Sequence, residues 1–271
     1  MKLIDIGVNL TNKRFDGDRA EVLARARDVG VAACIVTGTS LAVSAEAAIL
    51  CNTLSQHFPG MLYCTAGVHP HEASTFTDTT CAQLRTLIAE NAGTVVAVGE
   101  TGLDFNRDFS PRDAQVRAFE AQLQLAQDCG LPLFLHERDA HTTQHEILKS
   151  AGSALPRGVI HCFTGSREAL FNYLDLDFYI GITGWICDER RGRELQELVR
   201  HIPRDRLLIE TDAPYLLPRT LRPKPANGRN EPAFLPEVAA VVAQCRTEPI
   251  ADIVQASTDN ARALFKLEIY N

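Results

Sequence analysis

The sequence predicts an α/β fold, a single (β/α)8 barrel of the TIM type running over residues 1–271. Three observations predict it. Eight short apolar segments recur at a spacing of roughly 30 residues, helical patterns lie between them, and eight β/α units suit a closed barrel in a chain of this length. An open doubly wound sheet usually carries fewer strands. No Gly/Ser-rich linker or shift of composition divides the chain.

The apolar segments span 3–8, 32–37, 61–68, 94–99, 132–136, 158–161, 178–182 and 206–209. Each is short and bounded by polar or glycine residues, and most hold a β-branched residue. That pattern suits buried parallel strands. Helical patterns cover 18–29, 113–129, 190–201 and 236–245. The second carries Val116, Phe119, Leu123 and Ala126, a stripe at i, i+3 and i+4 spacing. Ser110-Pro111 reads as a helix start, with serine capping and proline in the first turn. The proline-rich stretch 213–232 follows the last strand and is expected to be a functional loop.

Composition narrows the class. At 45% hydrophobic and 23% charged residues the chain is not a disordered one. No apolar run reaches the roughly 18–20 residues of a membrane-spanning helix. Asp5 interrupts the first apolar segment, so no secretory leader is expected. The net charge of −7 argues against a protein that coats DNA, though not against a local basic rim. Eight cysteines without a CxxC pair read as buried hydrophobes in a reducing, cytoplasmic protein.

The expected strand ends carry the chemistry. Asn9 follows strand 1, His69 strand 3, Glu100 strand 4, His136 strand 5, His161 strand 6 and Asp212 strand 8. In a barrel all of these open on one face, where active sites lie. Glu100, His136 and His161, from adjacent strands, suit a catalytic divalent metal with open positions. Asp212 is placed to ligate a metal or to take a proton from attacking water, which makes it, with Glu100, the catalytic pair. Trp185, after strand 7, can stack on a base or pack beneath the rim. His71 reads as loop surface, and alternation points Cys162 outward.

Nine cations, among them Arg138, Arg191, Arg219, Arg222, Lys224 and Arg229, fall in or near loops on this face. The stretch 214–230 has three Arg, one Lys and no acid. That favours an anionic substrate, phosphate above all. His69, Arg138 and Arg229 are the expected substrate contacts. There is no P-loop and no GxGxxG after strand 1, so no nucleotide cofactor is expected.

Ordered motifs span nearly the whole chain. They include Ala66-Gly67-Val68-His69-Pro70-His71, Gly99-Glu100-Thr101-Gly102-Leu103-Asp104-Phe105, Leu135-His136-Glu137-Arg138-Asp139-Ala140, His161-Cys162-Phe163-Thr164-Gly165 and Ile209-Glu210-Thr211-Asp212-Ala213-Pro214-Tyr215. With these the chain resembles the TatD family of metal-dependent deoxyribonucleases. The run 180–192 resembles its bacterial members rather than distant paralogues. The resemblance implies a 3′→5′ exonuclease on single-stranded or frayed DNA, or RNA, acting in DNA repair; a monomer is expected. Most of the family opens with D-x-H-x-H, where this chain has Asp5, Gly7 and Asn9. One firm metal site is therefore expected, for Mg²⁺, Mn²⁺ or Zn²⁺, with a second weak or absent. Histidines restored at positions 7 and 9 are expected to strengthen the second. The competing expectation is an amidohydrolase or lactonase acting on a small acyl substrate with the same ligands.

Overall fold

Each expected apolar segment becomes a strand in the computed structural model, which describes residues 2–268. Met1 and residues 269–271, the ends of the expected domain 1–271, lie outside the described residues. The strands are β1 (Leu3–Val8), β2 (Val31–Val36), β3 (Leu62–Ala66), β4 (Val95–Asp104), β5 (Leu133–Arg138), β6 (Gly158–Ile160), β7 (Tyr179–Ile182) and β8 (Leu207–Ile209). The helices are α1 (Arg19–Asp28), α2 (Leu41–Leu54), α3 (Thr80–Glu90), α4 (Arg112–Cys129), α5 (His141–Ser150), α6 (Arg167–Asp175), α7 (Arg193–Leu198), α8 (Leu235–Arg246) and α9 (Ile250–Phe265).

The strands pair in parallel in the order β1 to β8. Closure comes from the chain just beyond β8. Val8 bridges Ala213, the Asn9 amide donates to the Ala213 carbonyl (2.7 Å), and the Asp212 amide donates to the Gly7 carbonyl (2.8 Å). Ile4, Ile6, Ile35, Val96, Phe134, Val159 and Leu208 fill the barrel interior, and Leu264 and Phe265 of α9 join that cluster. The alternate strand residues pack outward against the helices, as Val36, Leu133 and Ile180 do. The interior is thus a packed floor beneath the strand ends rather than a pore.

α4 shows how local sequence sets an element. Its stripe buries Phe119, Leu123 and Ala126, and it stops at Gly130, whose φ of 64° is the left-handed turn that glycine adopts without steric cost. Ser110 does not cap it. Pro111 is the capping residue, and the Ser110 hydroxyl instead donates to the His71 carbonyl (2.9 Å). The helix expected over 190–201 is the shorter α7 followed by a 3-10 turn. The amides of Arg190 and Arg191 are already taken by the Asp188 carboxylate (3.0 and 3.2 Å).

Two irregularities position the site. The β1–β2 register shifts between Asp5 and Val8, so Ile6 packs in the barrel and Gly7 also faces its interior. The β4–β5 register shifts between Val98 and Thr101, and β4 does not end at Glu100 as expected. It runs on to Asp104, which places a second buried carboxylate beside the strand-5 histidine.

Candidate active site

The strand ends surround a cavity of about 970 Å³ lined by Asn9, His69, His71, Glu100, Asp104, His136, Arg138, His161, Cys162, Trp185, Arg191 and Asp212, among others. Glu100 stands at its centre. Its Oε1 lies 3.0 Å from His136 Nδ1, 3.0 Å from His161 Nε2 and 3.2 Å from His69 Nε2. Burial opposes its ionisation, but the three imidazoles outweigh burial and hold the carboxyl well below the usual carboxylate range.

The outer nitrogen of each ring decides what the inner one can do. His136 Nε2 faces the Asp104 carboxylate at 3.2 Å, and His161 Nδ1 faces the Glu210 carboxylate at 3.2 Å. A carboxylate only accepts, so each of those nitrogens carries the proton. By the same rule His136 Nδ1 and His161 Nε2, each 3.0 Å from Glu100 Oε1, also carry protons in the metal-free protein. Those are the protons a bound cation displaces, while Asp104 and Glu210 retain the protons on the outer nitrogens. His69 differs. Its Nδ1 accepts the His71 backbone amide at 3.0 Å, so its proton sits on Nε2, facing Glu100. Burial holds His69 neutral by lowering its pKa to about 4.

Distance alone groups His69, Glu100 and His136, whose ligand atoms lie within 4.8 Å of one another. His161 Nε2 lies as close to Glu100 as His136 Nδ1 does, so Glu100, His136 and His161, the ligands expected from sequence, also stand together, and a donor set of this kind suits a divalent cation. His69 is left with an N–H to donate, which suits a substrate oxygen.

Asp212 closes the ring of strand ends. Its Oδ1 accepts from the Asn9 side-chain amide at 2.8 Å. Burial raises its pKa to about 7; His161 opposes the rise, while Glu100 and Glu210 add to it. Asp5 accepts from the Thr211 amide (2.8 Å) and hydroxyl, and so fixes the residue between Glu210 and Asp212.

Protons compete for these groups. Burial opposes protonation of His161, but Glu100 and Glu210 outweigh it and lift its pKa well above 6.5; His136 is likewise raised by Asp104 and Glu100. A bound cation needs these ligands deprotonated. The rise in melting temperature on adding Mn²⁺ is therefore expected to be larger at pH 8 than at pH 6, read by thermal unfolding. A shift independent of pH across that window would contradict this cluster as the cation site.

The rim departs further from the sequence reading. Arg138 lines the cavity, donates to the Thr164 hydroxyl (2.9 Å) and lies 5.7 Å from the Trp185 ring centre, with Arg191 at 4.5 Å. Arg229 does not reach the cavity. Its guanidinium binds both oxygens of Asp18 (2.8 and 2.6 Å) and Glu231 (2.8 Å) and covers the Phe15 ring. Arg229 stands away from the substrate contact expected of it, because both of its terminal amino groups hold the loop to Arg14, Asp18 and Glu231. Of the nine cations expected at this face, Arg138 and Arg191 line the cavity, joined by Lys13 and Arg107. Arg229→Ala is expected to lower stability by about 1.5–3 kcal/mol, the scale of charged hydrogen bonds, with KM unchanged. Arg138→Ala should do the opposite, raising KM with little change in melting temperature. Denaturant unfolding and steady-state kinetics separate the two.

His71 is not loop surface. It lines the cavity with Nε2 2.7 Å from Asp104 Oδ2. Cys162 does not point outward. It takes a φ of 46° and lines the cavity, where burial pushes its thiol up to about 12, too high for a nucleophile. Sequence reasoning assigned no role to Asp104 or Glu210. The signal was present, since both stand in motif runs directly beyond apolar segments. What was missing was knowledge of which face of its strand each would occupy.

A (β/α)8 barrel with this carboxylate–imidazole cluster at its strand ends defines a metal-dependent hydrolase. The family model for the TatD related DNases matches residues 4–266. Two relatives named 3′-5′ ssDNA/RNA exonuclease TatD are similar over 98% of this chain. The protein of Edwardsiella piscicida is 51% identical and is covered over 100% of its length; that of Klebsiella pneumoniae is 50% identical and is covered over 99%. Among solved structures, a TatD homologue from Escherichia coli K12 superposes with a TM-score of 0.86 at 30% identity, with 98% of each chain covered. A TatD family hydrolase from Entamoeba histolytica superposes at 0.89 and 27% identity, with 99% of each chain covered. The chain belongs to the TatD related DNase family. It is a hydrolase of nucleic-acid ester bonds in a metal-dependent family, which decides for the nuclease expectation over the acyl hydrolase.

Proposed function

We propose that this chain is a 3′→5′ exonuclease that removes nucleotides from single-stranded DNA or RNA, using one divalent cation held by Glu100, His136 and His161. The observation that carries the reading is the pair of inward ring nitrogens, His136 Nδ1 and His161 Nε2, each 3.0 Å from the same Glu100 oxygen. A divalent cation bound there supplies Lewis acidity to a phosphoryl oxygen and to water. Mg²⁺ is the cation proposed for activity, with Mn²⁺ and Zn²⁺ acceptable to the same donors.

The protein's own groups do the rest. Asp212, held by Asn9, takes the proton of the attacking water. His69 donates its Nε2 hydrogen to a phosphate oxygen, and Arg138 pairs with the same group. Trp185, flanked by Arg138 and Arg191, offers a face on which the terminal base stacks, with no demand on its identity. The packed floor of Ile6, Ile35 and Phe134 makes the cavity blind, so it admits a strand end more readily than a passing duplex. The relatives named 3′-5′ ssDNA/RNA exonuclease support the polarity and the substrates. We read residues 1–271 as one catalytic unit that acts as a monomer in the cytoplasm, in repair of damaged DNA, without a nucleotide cofactor. The eight free cysteines support a reducing compartment.

The test is degradation of a 5′-labelled single strand after chelation and readdition of Mg²⁺ or Mn²⁺. A ladder shortening one nucleotide at a time is expected, with resistance in a circular single strand and in a 3′-blocked one. Equal cleavage of the circular strand would overturn exonuclease action.

A further inference from the structure

Glu210 is wholly buried at the centre of the site, yet the proposed reaction gives it no role. Both of its oxygens are engaged. Oε1 accepts the Cys162 backbone amide at 2.6 Å, and Oε2 faces His161 Nδ1 at 3.2 Å. The space that holds it is made by two glycines. A Cβ on Gly7 would lie 2.3 Å from Glu210 Oε2, and one on Gly181 would lie 2.6 Å from Oε1. Neither glycine has a positive φ, so each serves for room and not for backbone freedom. Gly7 is where most of the family carries the first histidine of D-x-H-x-H. A histidine restored there, expected to strengthen a second metal site, would first have to displace the Glu210 carboxylate from that space.

We propose that Glu210 is a positioning residue for the cation site, retaining the proton of His161 on Nδ1 when a cation displaces the one on Nε2, and that Gly7 and Gly181 leave the room that admits it. The inference rests on the assignment of His161 as a ligand. Carboxylates behind ligating histidines fix ring orientation and raise ligand basicity, and their loss typically costs about 10–100-fold in metal affinity. Here the carboxylate comes from the strand two places away around the barrel, through a gap left by a missing side chain on β1.

Glu210→Gln is the informative change because it keeps size and packing. Its amide has one acceptor oxygen where the site has two donors, the Cys162 amide and His161 Nδ1–H. Turning the oxygen to Cys162 faces an amide N–H to His161 and drives the ring proton to Nε2, the nitrogen that must stay free. Mn²⁺ affinity, measured by titration calorimetry, is expected to fall about 10–100-fold in Glu210→Gln, while the metal-free melting temperature stays near wild type. Gly7→Ala should weaken Mn²⁺ binding comparably by displacing the carboxylate. The double variant should be no weaker than the worse single, because both act through one group. Ring ¹⁵N spectra of the Mg²⁺-loaded wild type, which need no variant to fold, should keep the His161 proton on Nδ1 with Nε2 deprotonated. Unchanged Mn²⁺ affinity in Glu210→Gln, multiplied losses in the double variant, or an Nδ1 without its proton in the Mg²⁺-loaded wild type would each overturn the inference. His161→Ala separates the two readings. Lost Mn²⁺ binding there with wild-type binding in Glu210→Gln removes this inference alone; wild-type binding in His161→Ala removes the cation assignment as well.

Discussion

Glu100→Ala, His136→Ala and His161→Ala are each expected to abolish degradation of single-stranded DNA and to strip the bound cation, while the barrel stays folded. The three side chains stand above the packed interior and contribute little to its layers. Glu100 has the largest expected effect. It is the carboxylate that all three imidazoles face, and without it the proposed ligand set keeps two imidazoles and no anionic donor. Glu100→Gln, which keeps the shape, should fail equally because an amide carries no charge for a cation to pair with. Metal content, circular dichroism and a nuclease assay with added Mn²⁺ check the expectation. Activity within about tenfold of wild type, the size of an outer-shell change, would take that residue out of the assignment.

Asp212→Asn is expected to retain the cation and to lose about 10²–10⁴ in kcat, the usual range for removing a general base. Burial places the Asp212 pKa near 7 in the metal-free protein, and a neighbouring cation favours the carboxylate and pulls it lower. A base works deprotonated. The wild-type rate should therefore rise with pH along a limb at or below about 7. That limb should be absent from the residual activity of Asp212→Asn. Near-normal turnover in the variant would make Asp212 a structural residue that ties Asn9 and closes the barrel.

How much of this was legible in the sequence varies with the range of the interaction. The strand starts were legible to within a residue or so because parallel strands buried on both faces must be apolar throughout. The proposed ligands Glu100, His136 and His161 were legible as strand-end residues for a related reason. Each is a polar residue directly beyond such a run, and the barrel turns every run's end toward one face. Asp104 stood in a motif run, but its place beside His136 was not legible, because the shift of register between Val98 and Thr101 and the continuation of β4 past Glu100 depend on the path of β5 beside it. Arg229 misled for the opposite reason. A loop rich in cations reads as a phosphate rim, but Asp18, 211 residues away in sequence, neutralises this one.

By itself, then, the chain determined the eightfold alternation, the strands and the strand ends that carry the three proposed ligands, all through local pattern and the order of the segments. The tertiary structure decided which nitrogen of each histidine is tied to an outer carboxylate and which is turned inward to Glu100. His136 owes that to Asp104, 32 residues away, and His161 to Glu210, 49 residues away, through a space left by Gly7. Such pairings join groups on different strands. They depend on register and on the room that side chains leave, and neither quantity is carried by the residues of one segment read alone.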